Sequence, residues 1–230
     1  MRSGGPRGRT RRQVLGRHYL ASPGILARIV GAIDPGPEDL IVEIGPGRGA
    51  LTFPLAERAG RIAAIEKDPA AAAFLRENPR PGLEIIEADI LDCDLASLIS
   101  ARRGPAKTVK LVGNLPYSIS SPLLFKVLDE RSAFDRAAFL VQKEVAEKVC
   151  ARPGGGDYGP LSIRLQAQFA ARIEFSVKPG AFVPPPKVES AFISLVKRPE
   201  GLVPDGEEPD FGRFLRACFR ERRRTLRNNL

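Results

Sequence analysis

LIVEIGPGRG, residues 40–49, decides the fold. Five residues, apolar except for Glu43, run straight into three glycines within five positions. A short apolar run bounded by turn residues reads as a strand buried on both faces. Gly45, Gly47 and Gly49 then let the backbone turn sharply into a helix over 50–59 and let a ligand approach it closely. The alternation continues outward. Upstream, SPGILARIVGAI (22–33) places Ser22 at an N-cap, Pro23 at the first helical position and apolar residues at helical spacing; DPGPED (34–39) is a turn. Downstream come a strand RIAAIE (61–66), an alanine-rich helix over 69–77, and strands LEIIEAD (83–89) and TVKLVGN (108–114). A helix over 122–130 follows, with Ser121 as cap and Pro122 at its first position, then a strand AAFLVQ (137–142) and a helix KEVAEKVCAR (143–152). Strands separated by helical stretches predict an α/β fold, a parallel sheet with helices on both faces. Beyond a glycine-rich loop (153–159), a helix over 161–171 precedes IEFSVKP (173–179) and SAFISLVKR (190–198), an expected antiparallel pair. GLVPDGEEPD (201–210) reads as a linker. The last twenty residues open as a basic amphipathic helix with apolar positions 211, 214, 215, 218 and 219. The expected organisation is a basic disordered tail over 1–12, one domain over 13–200, and a linker plus the start of a C-terminal helical domain over 201–230.

Composition narrows the partners. The chain has 230 residues, 43% hydrophobic and 27% charged, as expected of a globular protein. No apolar run approaches the roughly 18 residues of a membrane helix, and the basic N-terminus leads into no apolar stretch, so it is not a secretory signal. Cys93, Cys150 and Cys218 are odd in number and far apart, against a disulfide framework or a Cys-rich zinc site and in keeping with a reducing, cytoplasmic setting. His18 is the single histidine, which excludes a multi-His metal site. The net charge of +9 is uneven. Residues 1–17 hold six arginines and no acid, residues 211–230 hold seven arginines and one Glu, and the stretch between is slightly acidic. Arginine-dense ends on a near-neutral body suit a phosphate-backbone partner. No membrane partner is expected, and the chain reads as a monomer.

The chemistry gathers where strands end. Glu66 closes the second strand, where an acid accepts from both hydroxyls of a ribose. Asp89 closes the third, where a carboxylate can accept from an adenine amino group. With the glycine loop, these line one rim of the sheet, the place where open α/β sheets bind ligands. Gly45, Gly47 and Ala50 also satisfy the looser dinucleotide pattern G-x-G-x-x-A, which leaves an NAD-linked dehydrogenase as one reading. The Gly45/Gly47/Gly49 spacing with Glu43 on the strand is instead similar to the methyl-donor loop of class I S-adenosylmethionine (SAM) methyltransferases. Asn114-Leu115-Pro116-Tyr117 closes the fourth strand on the same rim. An exocyclic aromatic amine is a poor nucleophile because its lone pair is delocalised, so a methylating site should accept hydrogen bonds from it. Asn114 offers a side-chain carbonyl. Leu115, preceding proline, is pushed to an extended conformation that can aim its backbone carbonyl into the site. Pro116 adds no competing N–H, and Tyr117 offers a face for a flipped-out base. No general base is needed, because the amine becomes strongly acidic once methylated.

GNLPYSISSPLLFKVL, with EIGPGRGALT upstream and VQKEVAEKVCARPGGGDYGPLSI, AFVPPPKVESAFI and FRERRRTLRNNL downstream, resembles the small-subunit ribosomal RNA adenine dimethyltransferases of the KsgA type over roughly residues 12–230. The erythromycin-resistance methyltransferases share the fold; the YGPLSI and PPPKVES blocks favour the small-subunit branch. The resemblance implies a class I SAM-dependent methyltransferase sheet, SAM as methyl donor, and small-subunit ribosomal RNA or the pre-ribosomal small subunit as partner. It implies two methyl transfers to each of two adjacent adenosines near the 3′ end. By the same resemblance His18 and Leu20 meet the methionine end of SAM, Gly45 and Gly47 line the cofactor, Glu66 takes the ribose and Asp89 the adenine. Asn114 meets both cofactor and target amine, and Tyr117 and Phe182 sandwich the base. Gly16-Arg17-His18-Tyr19-Leu20 departs from the family block, which has Gln at the position of Arg17 and more often Phe at that of Tyr19. Family members usually continue past RRRTLRNNL into a small helical domain; that departure and Arg17 motivate the alternative of a non-catalytic ribosome-assembly or RNA-binding factor of the same fold.

Overall fold

The computed structural model describes residues 18–204, 206–221 and 225–228. The tail expected over 1–12, Gly16, Arg17 and the arginines at 222–224 lie outside the described residues.

A two-residue strand β1 (Tyr19–Leu20) leads into α1 (Pro23–Ile33). There follow β2 (Asp39–Ile44), α2 (Thr52–Ala56), β3 (Arg61–Glu66), α3 (Pro69–Glu77), β4 (Leu83–Glu87), α4 (Leu95–Arg103) and β5 (Thr108–Asn114). Next are α5 (Ser120–Asp129), β6 (Arg136–Gln142), α6 (Lys143–Val149), α7 (Pro160–Gln168), β7 (Phe169–Val177), β8 (Phe182–Val183), β9 (Ser190–Lys197) and α8 (Glu208–Cys218). The main sheet runs β4–β3–β2–β5–β6–β9–β7; β1 and β8 pair separately. Its first five strands are parallel, and β9 and β7 join antiparallel. From β2 the chain first steps outward to β3 and β4, then returns to place β5 on the other side. The order therefore reverses at β2, and a crevice opens there beyond the carboxyl ends of the strands.

The apolar run at 40–44 is explained by two cores. Leu40, Val42 and Ile44 face one; Ile41 faces the other, with Ile29, Val30 and Ile33 of α1 and Leu51 and Leu55 around α2. Alternation puts Glu43 on the Ile41 side, so its carboxyl is buried against helices rather than solvated. Each buried branched side chain of α1 stabilises the docking by roughly 1.5–3 kcal/mol.

Several boundaries differ from the sequence expectations. The helix expected over 50–59 shrinks to 52–56, and the strand expected over 83–89 stops at Glu87, leaving Asp89 in the turn beyond it. A 3-10 turn (Tyr117–Ile119) runs directly into α5, so Ser121 and Pro122 sit inside its first turn rather than capping it. The helix expected over 143–152 ends at Val149. The helix expected over 161–171 ends at Gln168, because pairing with β9 captures Phe169, Ala170 and Ala171 into β7. α4 was not anticipated; Asp94 caps it, accepting from Ser97 N at 2.9 Å. The linker gives way to helix at Glu208, whose Oε1 accepts from Arg164 Nε at 2.8 Å and fastens α8 to α7. Leu215 and Cys218 are buried beneath α8 while Phe214 is half exposed.

Candidate functional site

A cavity of about 370 Å³ lies at the crevice, lined by residues from the ends of β2, β3 and β5, the turn after β4, and the strap His18–Leu20. His18, Leu20, Gly45, Gly47, Glu66, Asp89, Asn114, Leu115, Pro116 and Tyr117 all line it. All the residues expected at the site except Phe182 thus converge on one space.

The glycine loop is shaped for a ligand. Gly45 has φ +67° and Gly47 φ +58°, a region that L side chains rarely adopt. A Cβ on Gly45 would meet nothing within 4 Å, leaving room for a bound molecule against the backbone. One on Gly47 would lie 3.2 Å from Cε1 of Tyr19, which roofs the loop. Glu66 braces the loop: Oε2 accepts from Gly47 N at 3.0 Å and Oε1 from Asp68 N at 2.8 Å. Each oxygen retains a lone pair for a ribose hydroxyl. Asp89 accepts from Leu91 N at 3.0 Å and pairs with Lys67. The Lys67 ammonium, then the Leu91 N–H, hold its carboxyl below the usual range. An adenine amino group reaching Asp89 would compete with a lysine whose side chain is 74% exposed.

Glu43, which the sequence associates with the methyl-donor loop without giving it a contact, also lines the cavity. Burial pushes its carboxyl up to about 7; Thr52 works against this and Glu66 with it. Although Thr52 lies near enough to act, Glu43 Oε2 and Thr52 Oγ1 both lack a hydrogen-bonding partner among the described residues. Among those residues, three acids border the cavity, and Lys67, the one lysine on its wall, is mostly exposed.

At the other end, Asn114 Nδ2 donates to His18 O at 3.2 Å. A backbone carbonyl can only accept, so the amide must present its NH₂ there, and Oδ1 is left as the acceptor for an incoming amine. His18 Nδ1 lies 2.8 Å from Pro184 O, and its ring is 5.5 Å from that of Tyr117, tilted 33°. The Tyr117 hydroxyl lies 2.8 Å from Ser190 Oγ. Leu115 N donates to Leu140 O at 3.0 Å, locking the turn onto β6.

Phe182 is the exception and corrects the expected aromatic sandwich. It is 2% exposed, packed in the core with Leu20, and absent from the cavity wall. β1 and β8 pair Leu20 with Phe182 and Tyr19 with Val183. Strand alternation turns the first pair inward and the second outward, leaving Val183 62% exposed. Of the two aromatic rings expected to hold the base, Tyr117 lines the cavity and Phe182 does not. Lys67 and Ser190 were given no role by sequence reasoning; the signals they carried were that Lys67 follows Glu66 and that Ser190 closes the PPPKVES block.

The comparisons identify the family. The family profile described as Ribosomal RNA adenine dimethylase matches residues 8–230. The chain is 43% identical over 223 residues to Ribosomal RNA small subunit methyltransferase A of Geobacter metallireducens, spanning 95% of this chain and 80% of that one. A dimethyladenosine transferase from Plasmodium falciparum superposes with a TM-score of 0.80 at 30% identity, covering 92% of this chain and 74% of the other. The 23S rRNA methyltransferase ErmE gives 0.73 at 28%, covering 92% and 82%. The dinucleotide reading of the glycines falls away: it leaves the Asn114–Tyr117 turn without a task, and the family match and both superpositions are to methyltransferases. The sheet is that of a class I methyltransferase, and a match that runs from ahead of the His18 strap to the final residue places the chain in the ribosomal RNA adenine dimethylase family.

Proposed function

We propose that this chain dimethylates the N6 amines of two adjacent adenosines near the 3′ end of small-subunit ribosomal RNA, acting as a cytoplasmic monomer in ribosome biogenesis with SAM as methyl donor. The observation that carries the reading is the position of Asn114 and Tyr117 on the same cavity as the Gly45–Gly47 loop. The fit of the donor rests on the open space over Gly45 and the two backbone-braced oxygens of Glu66. His18 and Leu20 would hold its methionine end, Gly45 and Gly47 its backbone, Glu66 the ribose, and Asp89 the adenine.

When bound, SAM supplies an electrophilic methyl group on a positively charged sulfur. The chain's own residues do the rest. Asn114 Oδ1 and the Leu115 carbonyl accept the two amine hydrogens, which favours a pyramidal nitrogen with its lone pair available for attack. Tyr117 holds the base plane, which converts a bimolecular encounter into a positioned one. The methylated nitrogen is a strong acid and gives its proton to water, so neither buried Glu43 nor His18 has to serve as a base. The arginines at both chain ends offer positive charge to the RNA backbone.

The test is incubation with small subunits purified from a strain lacking the modification and with SAM carrying a labelled methyl group. Label in the small-subunit RNA supports the proposal. Tight particle binding with no label would instead favour the assembly-factor reading.

A further inference from the structure

Tyr117 carries a heavy demand. It is the aromatic wall placed for the base, yet it sits on a single 3-10 turn directly after Pro116. A ring on so short an element is held at its Cα end by the turn and needs a second anchor to keep its plane. The structure supplies one 73 residues away: the phenol oxygen lies 2.8 Å from Ser190 Oγ.

Ser190 is built to be that anchor. It is fully buried, at 0% exposure, and opens β9 between two strands. Its register partners are Gln142 of β6 on one side and Val177 of β7 on the other. The sheet is tightened there again, where Lys143 N donates to Glu189 O at 3.0 Å and Lys143 Nζ meets Glu189 Oε2 at 2.8 Å. The hydroxyl therefore has little freedom. Burial raises the Tyr117 phenol above its ordinary range, with the Ser190 contact working the other way, so the phenol stays protonated and can donate. A buried serine also needs a partner for its own hydroxyl.

We propose that Ser190 is a positioning residue for base capture: its hydroxyl pins the Tyr117 phenol and so fixes the plane on which the target base stacks. This rests on the function proposed above. β9, the first strand of the antiparallel extension, thereby reaches the reaction centre through the Ser190–Tyr117 hydrogen bond.

The test is a double-mutant cycle of wild type, Tyr117→Phe, Ser190→Ala and the pair. Methyl transfer to small subunits is measured at saturating SAM, alongside the fluorescence of 2-aminopurine placed at the target position of the RNA. Removing one hydrogen bond is worth about tenfold. Each single variant is expected to lose about tenfold in kcat with KM for the particle unchanged within about twofold, and the double variant to lose no more than either alone. The 2-aminopurine signal, quenched by stacking in the wild type, should recover equally in all three variants. If Ser190→Ala does not fold, Ser190→Cys keeps the volume with a much weaker hydrogen-bonding group. Wild-type kinetics in Tyr117→Phe, or losses that multiply to about a hundredfold, overturn the proposal. A wild type that transfers no methyl group would defeat the proposed function; the fluorescence then decides alone, and an unquenched signal common to all four proteins overturns the anchor.

Discussion

Replacing Glu43 with Gln tests the electrostatics of the site without touching its shape. The carboxyl is 2% exposed, and burial raises it from 4.5 to about 7. Above pH 4.5 the unfolded chain's carboxyl ionises, while the folded one keeps its proton until about 7. The native state then binds more protons than the unfolded state, so stability falls as pH rises through this window. The contribution of protonated Glu43 is complete below 4.5 and lost above 7. Each pH unit between those two values is worth about 1.4 kcal/mol, so the loss passes about 3 kcal/mol by pH 8, with about 2.5 kcal/mol of it between pH 5 and 8. Urea unfolding of wild type and Glu43→Gln at four pH values between 5 and 8 measures it. Carboxylates held low by partners, such as Asp89, act in both proteins and cancel in the difference. The variant should gain on the wild type by about 2.5 kcal/mol over this range. Parallel stability curves would refute the claim that burial keeps Glu43 protonated up to about 7.

Three further expectations follow from the same contacts. Gly47→Ala places a methyl group 3.2 Å from Tyr19 at φ +58° and should weaken SAM binding about tenfold or more in calorimetry, with a stability loss of about 1–3 kcal/mol. Asp89→Ala should weaken SAM by about tenfold, whereas Lys67→Ala, which frees Asp89, should leave it equal or slightly tighter. Lys110→Ala leaves Asp39 buried without its partner at 2.7 Å and should cost about 3–5 kcal/mol in urea unfolding while sparing SAM affinity, since the pair lies at the opposite ends of the strands from the cavity.

What the sequence disclosed and what it hid follow from how local each signal was. Helix 69–77 and strands 61–66 and 108–114 were legible because periodicity, a proline at the helix start and flanking turns all agreed. Residues 169–171 were misread because QAQFAAR carries helical spacing, and only the ladder to β9, more than twenty residues on, overrides it. α4 was overlooked because just Leu95 and Ile99 are buried on it. At the site, strand-end residues such as Glu66 and Asn114 could be placed from the fold class alone, since parallel strands bring their carboxyl ends to one rim. Phe182 could not. Its direction depends on the pairing of Leu20 with Phe182 across more than 160 residues, and one step of register separates a base-stacking ring from a core side chain. Ser190 was hidden for the same reason: its partner lies 73 residues away.

The most direct measurement is mass spectrometry of nucleosides from small-subunit RNA incubated with SAM and either the wild type or Asn114→Ala. Losing the accepting amide should cut the rate by about 10²–10³. N6,N6-dimethyladenosine at two adjacent positions with the wild type, and almost none with a folded Asn114→Ala, is the expected result. Equal dimethylation by the two proteins would contradict the role given to the Asn114 carbonyl and, with it, the mechanism.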